Sequence, residues 1–179
     1  ILMRMFYPDR REKSAYTIDY ADLYRKGYRG VIFDIDNTLV PHGAPATKEA
    51  AAFFASLRET GFSTCLLSNN QKPRVAPFAD AVGSIYIENA HKPSVKNYQE
   101  ACRRMGIKEE QAVFVGDQLF TDVYGAKRTG LYNILTEPIN PKEEIQIVLK
   151  RYLEHIVLFF YERDLARGRI TTVSYTHLT

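Results

Sequence analysis

The sequence predicts an open, doubly wound α/β sheet, mostly parallel, and three observations carry that prediction. From Val31 onward, five short apolar runs alternate with amphipathic stretches: Val31–Ile35, Ser63–Leu67, Ile85–Ile87, Val113–Val115 and Tyr132–Leu135. The runs are continuously apolar rather than alternating, which suits parallel strands covered on both faces. Gly61, Gly106 and Gly130 stand where the intervening helices should stop, because a helix C-terminal cap takes a positive φ. Regular strand–helix alternation of this kind builds a parallel sheet with helices on both sides.

Taken in order, residues 1–30 form a polar lead-in with a short helix over Asp19–Lys26. Helices are expected near 46–60, 74–82, 93–105 and 119–129, one after each of the first four strands. Residues 141–166 read as one long helix, opened by Asn140 as cap and Pro141 in the first turn. A single domain over 1–169 follows, with a lead-in (1–30), a core (31–140) and a C-terminal helix (141–169). The Thr-rich, unpatterned residues 170–179 are expected to be a disordered tail.

Composition bounds the function. The 179 residues are 45% hydrophobic and 25% charged, which is globular and sufficient for a core without staples. Two cysteines, Cys65 and Cys102, supply neither a disulfide framework nor a zinc spacing and read as small core residues in a reducing compartment. The longest apolar run, Ile156–Tyr161, is six residues, against the roughly 20 that cross a bilayer. No signal peptide is visible in the given residues, which begin at Ile1, and the reducing compartment read from the cysteines makes a cytoplasmic location the expectation. Residues 1–30 hold seven Lys/Arg against four Asp/Glu, too mild an excess for a nucleic-acid surface, and no nucleic-acid partner is expected.

The chemistry concentrates at the strand ends. The first apolar run leads into Asp34-Ile35-Asp36-Asn37-Thr38, where two carboxylates two residues apart leave one face of an extended chain. Carboxylates converging there are unfavourable unless a cation or donor compensates them. The later runs end in Ser68-Asn69-Asn70, in His91-Lys92-Pro93 and in Gly116-Asp117 followed by Asp122. Each segment alone also suits a turn or a helix cap, and Lys92 alone suits solvated surface. Their spacing argues otherwise. Intervals of 34 residues from Asp34 to Ser68, 24 to Lys92 and 25 to Asp117 are each about one strand–helix unit. All four groups should therefore meet beyond the carboxyl ends of the strands, where open α/β sheets bind ligands.

In order and spacing, Asp34-x-Asp36-x-Thr38, Ser68, Lys92 and Gly116-Asp117-x4-Asp122 resemble the four motifs of the haloacid-dehalogenase-like phosphohydrolases. The wording from Phe33 to Val40, Leu67 to Asn70 and Gly116 to Asp122 is similar to the YqeG family of capless phosphatases. That family is itself similar to the mitochondrial phosphatidylglycerophosphate phosphatases. The resemblance implies a three-layer Rossmann-like sandwich without a cap domain. It also implies Mg²⁺ as cofactor, held by the Asp34 side chain, the Asp36 main-chain carbonyl and Asp117, with Asp122 in support. Asp34 would be the nucleophile forming an aspartyl-phosphate, and Asp36 the general acid and then base. Ser68 would bind phosphoryl oxygens, Lys92 would add positive charge to them, and Thr38 would orient the acid pair. Asn69 flanks the substrate, and His91 reads as a loop residue.

Only 27 residues separate Thr38 from Leu66 and 23 separate Ser68 from Lys92, each already used by one helix and one strand, so no lid fits. An uncovered site suits a phosphate presented by something large. The resemblance points to a lipid headgroup, phosphatidylglycerophosphate, met by an enzyme peripheral on the inner face of the membrane. Nucleotide, sugar-phosphate or macromolecular phosphate ends are the alternative substrates, and a binding or assembly module with residual activity is the non-enzymatic reading. The last helix bears on this choice, because its Ile156–Tyr161 turn is apolar nearly all round and is flanked by Lys150, Arg151 and Arg163. Burial and docking on a membrane or partner both account for it.

Overall fold

A computed structural model describes residues 2–171. Two compact units divide the chain, one ending at Pro141 and the other beginning at Lys142. The first contains a six-stranded sheet: β1 (Arg10–Glu12), β2 (Gly30–Phe33), β3 (Ser63–Leu67), β4 (Ile85–Ile87), β5 (Ala112–Gly116) and β6 (Tyr132–Thr136). Its order is β1-β6-β5-β2-β3-β4, and every pairing is parallel. The chain winds outward from β2 through β3 to β4, then returns to β5 on the other side of β2. That reversal places a crevice beyond the carboxyl ends of β2 and β5.

Five α-helices lie among the described residues of this unit: α1 (Tyr20–Arg25), α2 (Lys48–Thr60), α3 (Lys72–Val82), α4 (Val95–Met105) and α5 (Tyr124–Thr129). Gly61, Gly106 and Gly130 end α2, α4 and α5 with φ of 111°, 69° and 83°, the left-handed caps that the sequence called for. Thr47 caps α2, its hydroxyl accepting from the Ala50 N–H at 3.0 Å. Side chains alternate across the strands into two apolar layers. Phe33, Leu66, Val113 and Ile134 pack with Phe54, Leu57 and Phe78 on one face. Ile32, Cys65, Leu67 and Phe114 pack with Tyr98, Ala101, Cys102 and Ala126 on the other. Both cysteines are free and buried, the small core residues expected of them.

Two elements depart from expectation. The expected polar lead-in contains β1, a strand of three charged residues with no apolar run to announce it. It is held by its pairing with β6, by the Arg10–Glu12 ion pair and by Asp9, whose carboxylate accepts from the Asn133 side chain at 2.9 Å. The single helix expected over 119–129 opens instead with a wider π turn at Leu119–Val123, where the Tyr124 N–H reaches the Leu119 carbonyl. The buried Tyr98 hydroxyl donates to the Thr121 and Asp122 carbonyls at 2.9 and 3.3 Å, drawing them out of the α ladder.

The second unit holds all but the first residue of α6 (Pro141–Ala166), which spans the segment read as a long helix. Apolar side chains lie along it on all sides, with the Phe159 and Phe160 rings edge to face at 5.5 Å and Arg163 over Phe160. Of the tail expected over 170–179, residues 172–179 fall outside those described.

Candidate active site

All the groups read from the strand ends do gather at the carboxyl edge of the sheet. Asp34 continues β2, its N–H donating to the Val115 carbonyl at 3.0 Å, so its side chain emerges where the ladder ends. Asp117 follows β5 directly. One carboxylate oxygen each from Asp34, Asp117 and Asp122 lies within 4.8 Å of the others. The Lys92 ammonium donates to Asp34 Oδ1 at 2.9 Å and to Asp122 Oδ1 at 2.7 Å, with its side chain only 4% exposed. Thr38 Oγ1 donates to Asp117 Oδ1 at 3.0 Å. The Asp122 Oδ2 atom accepts from the Gln118 N–H at 3.2 Å, across the mouth of the π turn. A Cβ on Gly116 would stand 2.5 Å from that same oxygen, so only glycine lets Asp122 fold back over the strand end.

Electrostatics bind the cluster together. Burial works against the Lys92 charge, but Asp122 and Asp34 outweigh it and hold the ammonium above its ordinary value. Burial and the neighbouring Asp34 push the Asp122 carboxyl up to about 6, against the pull of Lys92. Three acids facing one ammonium leave negative charge in excess. That all-oxygen set, drawn close around one point, fits a hard divalent cation.

The remaining residues of the sequence reading take more specific places. Asn69 grips the main chain of Lys92 from both sides: its Oδ1 accepts from the Lys92 N–H at 2.7 Å, and its Nδ2 donates to the Lys92 carbonyl at 3.4 Å. Ser68 is buried, and its hydroxyl accepts from the Asn70 N–H at 3.1 Å at the turn into α3. His91 is an exposed loop residue with φ of 52°, next to a cis Lys92–Pro93 peptide.

Asp36 is the one acid whose carboxylate stands apart. Its Oδ1 accepts from the Gly43 N–H at 2.7 Å and from the Arg74 guanidinium at 2.9 Å, and its Oδ2 from Asn70 Nδ2 at 2.6 Å. The carboxyl group implied for acid–base work is thus held by three donors, while the ligand implied from this residue is its main-chain carbonyl. Gly43, Asn70 and Arg74 were not read from the sequence. One signal was there for Arg74: it sits in the first turn of α3, where no acid is present and where the helix dipole disfavours a cation.

Comparison with known proteins identifies the family. A family model described as haloacid dehalogenase-like hydrolase matches residues 43–130. The chain is 34% identical over 164 residues to "Probable phosphatase YqeG" of Bacillus subtilis, covering 91% of this chain and 95% of that protein. It is 29% identical over 161 residues to "Phosphatidylglycerophosphate phosphatase 1, chloroplastic/mitochondrial" of Arabidopsis thaliana, covering 84% of this chain but 46% of the plant protein. Among solved structures, an uncharacterized protein of Corynebacterium glutamicum superposes with a TM-score of 0.51 at 23% identity, over 68% of this chain and 93% of that one, a likeness of fold. The bacterial likeness covers most of both chains, and the chain belongs to the haloacid dehalogenase-like hydrolase family, in which it is a phosphatase.

Proposed function

We propose that the protein is a Mg²⁺-dependent phosphomonoesterase that works through an aspartyl-phosphate on Asp34 and converts phosphatidylglycerophosphate to phosphatidylglycerol and phosphate. One observation carries the chemistry: a buried lysine bridges Asp34 and Asp122, while Asp117 brings a carboxylate oxygen within 4.8 Å of theirs. The substrate class is supported by the likeness to the plant enzyme and by the lack of room for a lid between the motifs.

Phosphate monoesters resist attack because their oxygens repel an anionic nucleophile, so positioning and charge neutralisation supply most of the catalysis. Asp34 Oδ forms a bond to phosphorus as the bond to the leaving oxygen breaks, and Asp36 delivers a proton to that oxygen. Water then attacks the aspartyl-phosphate with Asp36 receiving its proton, which releases phosphate and restores Asp34. Lys92 holds positive charge beside Asp34 throughout, and Ser68 offers its hydroxyl to the phosphoryl oxygens. Asp34, Asp117 and the Asp36 carbonyl would hold the Mg²⁺, with Asp122 in support; when bound, it neutralises phosphoryl charge and screens the acids from one another.

Arg74 fixes where the Asp36 carboxyl points. Arg74→Ala is expected to lower turnover of an aryl phosphate about 10- to 100-fold with little change in melting temperature, since misplacing an acid by an ångström has an effect of that order. Arg74→Lys should recover part of the loss. Steady-state kinetics beside thermal melts would check this, and unchanged turnover in Arg74→Ala would remove the clamp from the account.

The proposal as a whole is tested by phosphate release from phosphatidylglycerophosphate in vesicles beside soluble monoesters, with chelator and with added Mg²⁺. Chelation should abolish release, Mg²⁺ should restore it, and the lipid should exceed every soluble ester by at least about tenfold in kcat/KM, about 1.4 kcal/mol of preference. Equal, feeble activity on all esters would overturn the lipid assignment. Undiminished release in chelator would overturn the metal.

A further inference from the structure

Asp34 and Asp117 follow directly on strands, but Asp122 does not: it lies inside the π turn Leu119–Val123. An α-helix turns by about 100° per residue, and a π turn holds one residue more, so it rotates the side chains on its two sides against each other by about that angle. Downstream the phase is set by α5, whose Gly125 and Ala126 are buried. The extra residue is taken up at Asp122, whose carboxylate reaches back to the Lys92 ammonium at 2.7 Å and to the Gln118 N–H at 3.2 Å. The carboxylate's aim therefore depends on a turn, and the turn needs a cause outside itself.

Tyr98 of α4 supplies that cause. Its ring is fully buried beside Phe114, with 5.3 Å between centroids. Its hydroxyl has one hydrogen to give, shared between the Thr121 and Asp122 carbonyls at 2.9 and 3.3 Å. Gly125 makes the room: a Cβ there would overlap both the hydroxyl and the ring. Without the hydroxyl, the Asp122 carbonyl loses this donor inside a buried segment, which is unfavourable. Closing the turn to α geometry would offer that carbonyl an N–H of the following turn, and the same change of phase would swing the Asp122 carboxylate off Lys92.

We propose that Tyr98 is a positioning residue of this site: its hydroxyl holds the π turn open, and the turn aims the Asp122 carboxylate at the Lys92 ammonium and at the point where the three acids converge. The inference deepens the proposed function and rests on it in giving that cluster a catalytic task. Tyr98 acts only through the main chain around Asp122. Its effect on turnover and on cation binding therefore exists only while Asp122 carries its carboxylate, whereas a purely structural tyrosine would affect stability alone.

The test is a double-mutant cycle on the full chain, with aryl phosphate kinetics, thermal melts and calorimetry of Mg²⁺ binding to the substrate-free protein. Tyr98→Phe should lower kcat about tenfold with KM within about twofold, the pattern of a misplaced group. It should also weaken Mg²⁺ binding about tenfold, as loss of a supporting partner does. In the Asp122→Asn background the same substitution should change neither quantity by more than about twofold. Cys102→Ala loosens the same helix in the same buried layer; it should lower the melting temperature and leave kcat and Mg²⁺ affinity within about twofold of wild type. The Tyr98→Phe fold should survive, because the ring keeps its place beside Phe114. A Tyr98→Phe protein too unstable to purify, one that matches wild type in kcat and Mg²⁺ affinity, equal losses in both backgrounds, or the same losses in Cys102→Ala would each overturn the inference. No ester hydrolysis by wild type, together with a loss of Mg²⁺ affinity in Tyr98→Phe that disappears with Asp122→Asn, would uphold the positioning and sink the phosphatase mechanism alone.

Discussion

Asp34→Asn abolishes phosphate release, lowering kcat by on the order of 10³-fold or more, and leaves the fold intact. An amide has the size of the carboxyl group but cannot attack phosphorus as an oxyanion. Little in the fold depends on the lost charge. The Asp34 N–H still donates to the Val115 carbonyl, and Lys92 keeps its 2.7 Å partner in Asp122. The substitution also removes one of the causes that push the Asp122 carboxyl upward, so the metal-free pocket becomes less crowded with charge. The check is aryl phosphate turnover beside a thermal melt of the same preparation. A purified variant that retains a tenth of wild-type turnover would remove Asp34 as nucleophile.

Lys92→Met is expected to damage both activity and stability. Turnover should fall about 10²- to 10³-fold, the scale seen when one preorganised positive or donor group is withdrawn from a developing charge. Stability should fall by about 3–5 kcal/mol, because the variant leaves Asp34 and Asp122 buried without their shared cation. Their side chains are 12% and 1% exposed, so water cannot take over the ammonium's role at Asp122. A second substitution separates the two effects. Lys92→Met/Asp122→Asn should regain much of the stability, since one buried charge leaves with its partner, yet none of the turnover. Urea melts and kinetics on the four proteins of the cycle measure both quantities. A Lys92→Met protein within about 1 kcal/mol of wild type would contradict a buried, paired lysine.

How much of this was legible in the sequence depends on how local each cause is. The five apolar strands and the glycine caps at Gly61, Gly106 and Gly130 are written in neighbouring residues, and the fold followed from them. Strand β1 was invisible because Arg10, Arg11 and Glu12 carry no apolar pattern; only pairing with β6 makes them a strand. The π turn was invisible because its cause, the Tyr98 hydroxyl, lies 23 residues before the Thr121 carbonyl that it engages. The same distinction holds at the site. Asp34, Ser68 and Asp117 each follow directly on a strand, and strand spacing brings them together; Lys92 lies five residues past β4, where Asn69 holds its main chain. Asp36 belongs to the same short motif, but what its carboxylate does is decided by Arg74, 38 residues away, and by Asn70. Asn69, read as flanking the substrate, turned out to have its amide engaged with the Lys92 main chain, a contact across 23 residues.

Helix α6 was legible in outline and length, and the nearly all-round apolar character of its Ile156–Tyr161 turn was read from the sequence. Among the described residues no helix is long and apolar enough to cross a membrane.

The most direct test of the central claim is to capture the phosphorylated enzyme itself. Enzyme turning over a phosphomonoester in the presence of Mg²⁺ is quenched in acid, reduced with borohydride, digested and read by mass spectrometry. An acyl phosphate on Asp34 is reduced to homoserine, so the account requires that conversion at position 34, dependent on substrate and absent from Asp34→Asn. Reduction at another acid, or steady phosphate release with position 34 unchanged under conditions that trap acyl phosphates, would contradict it.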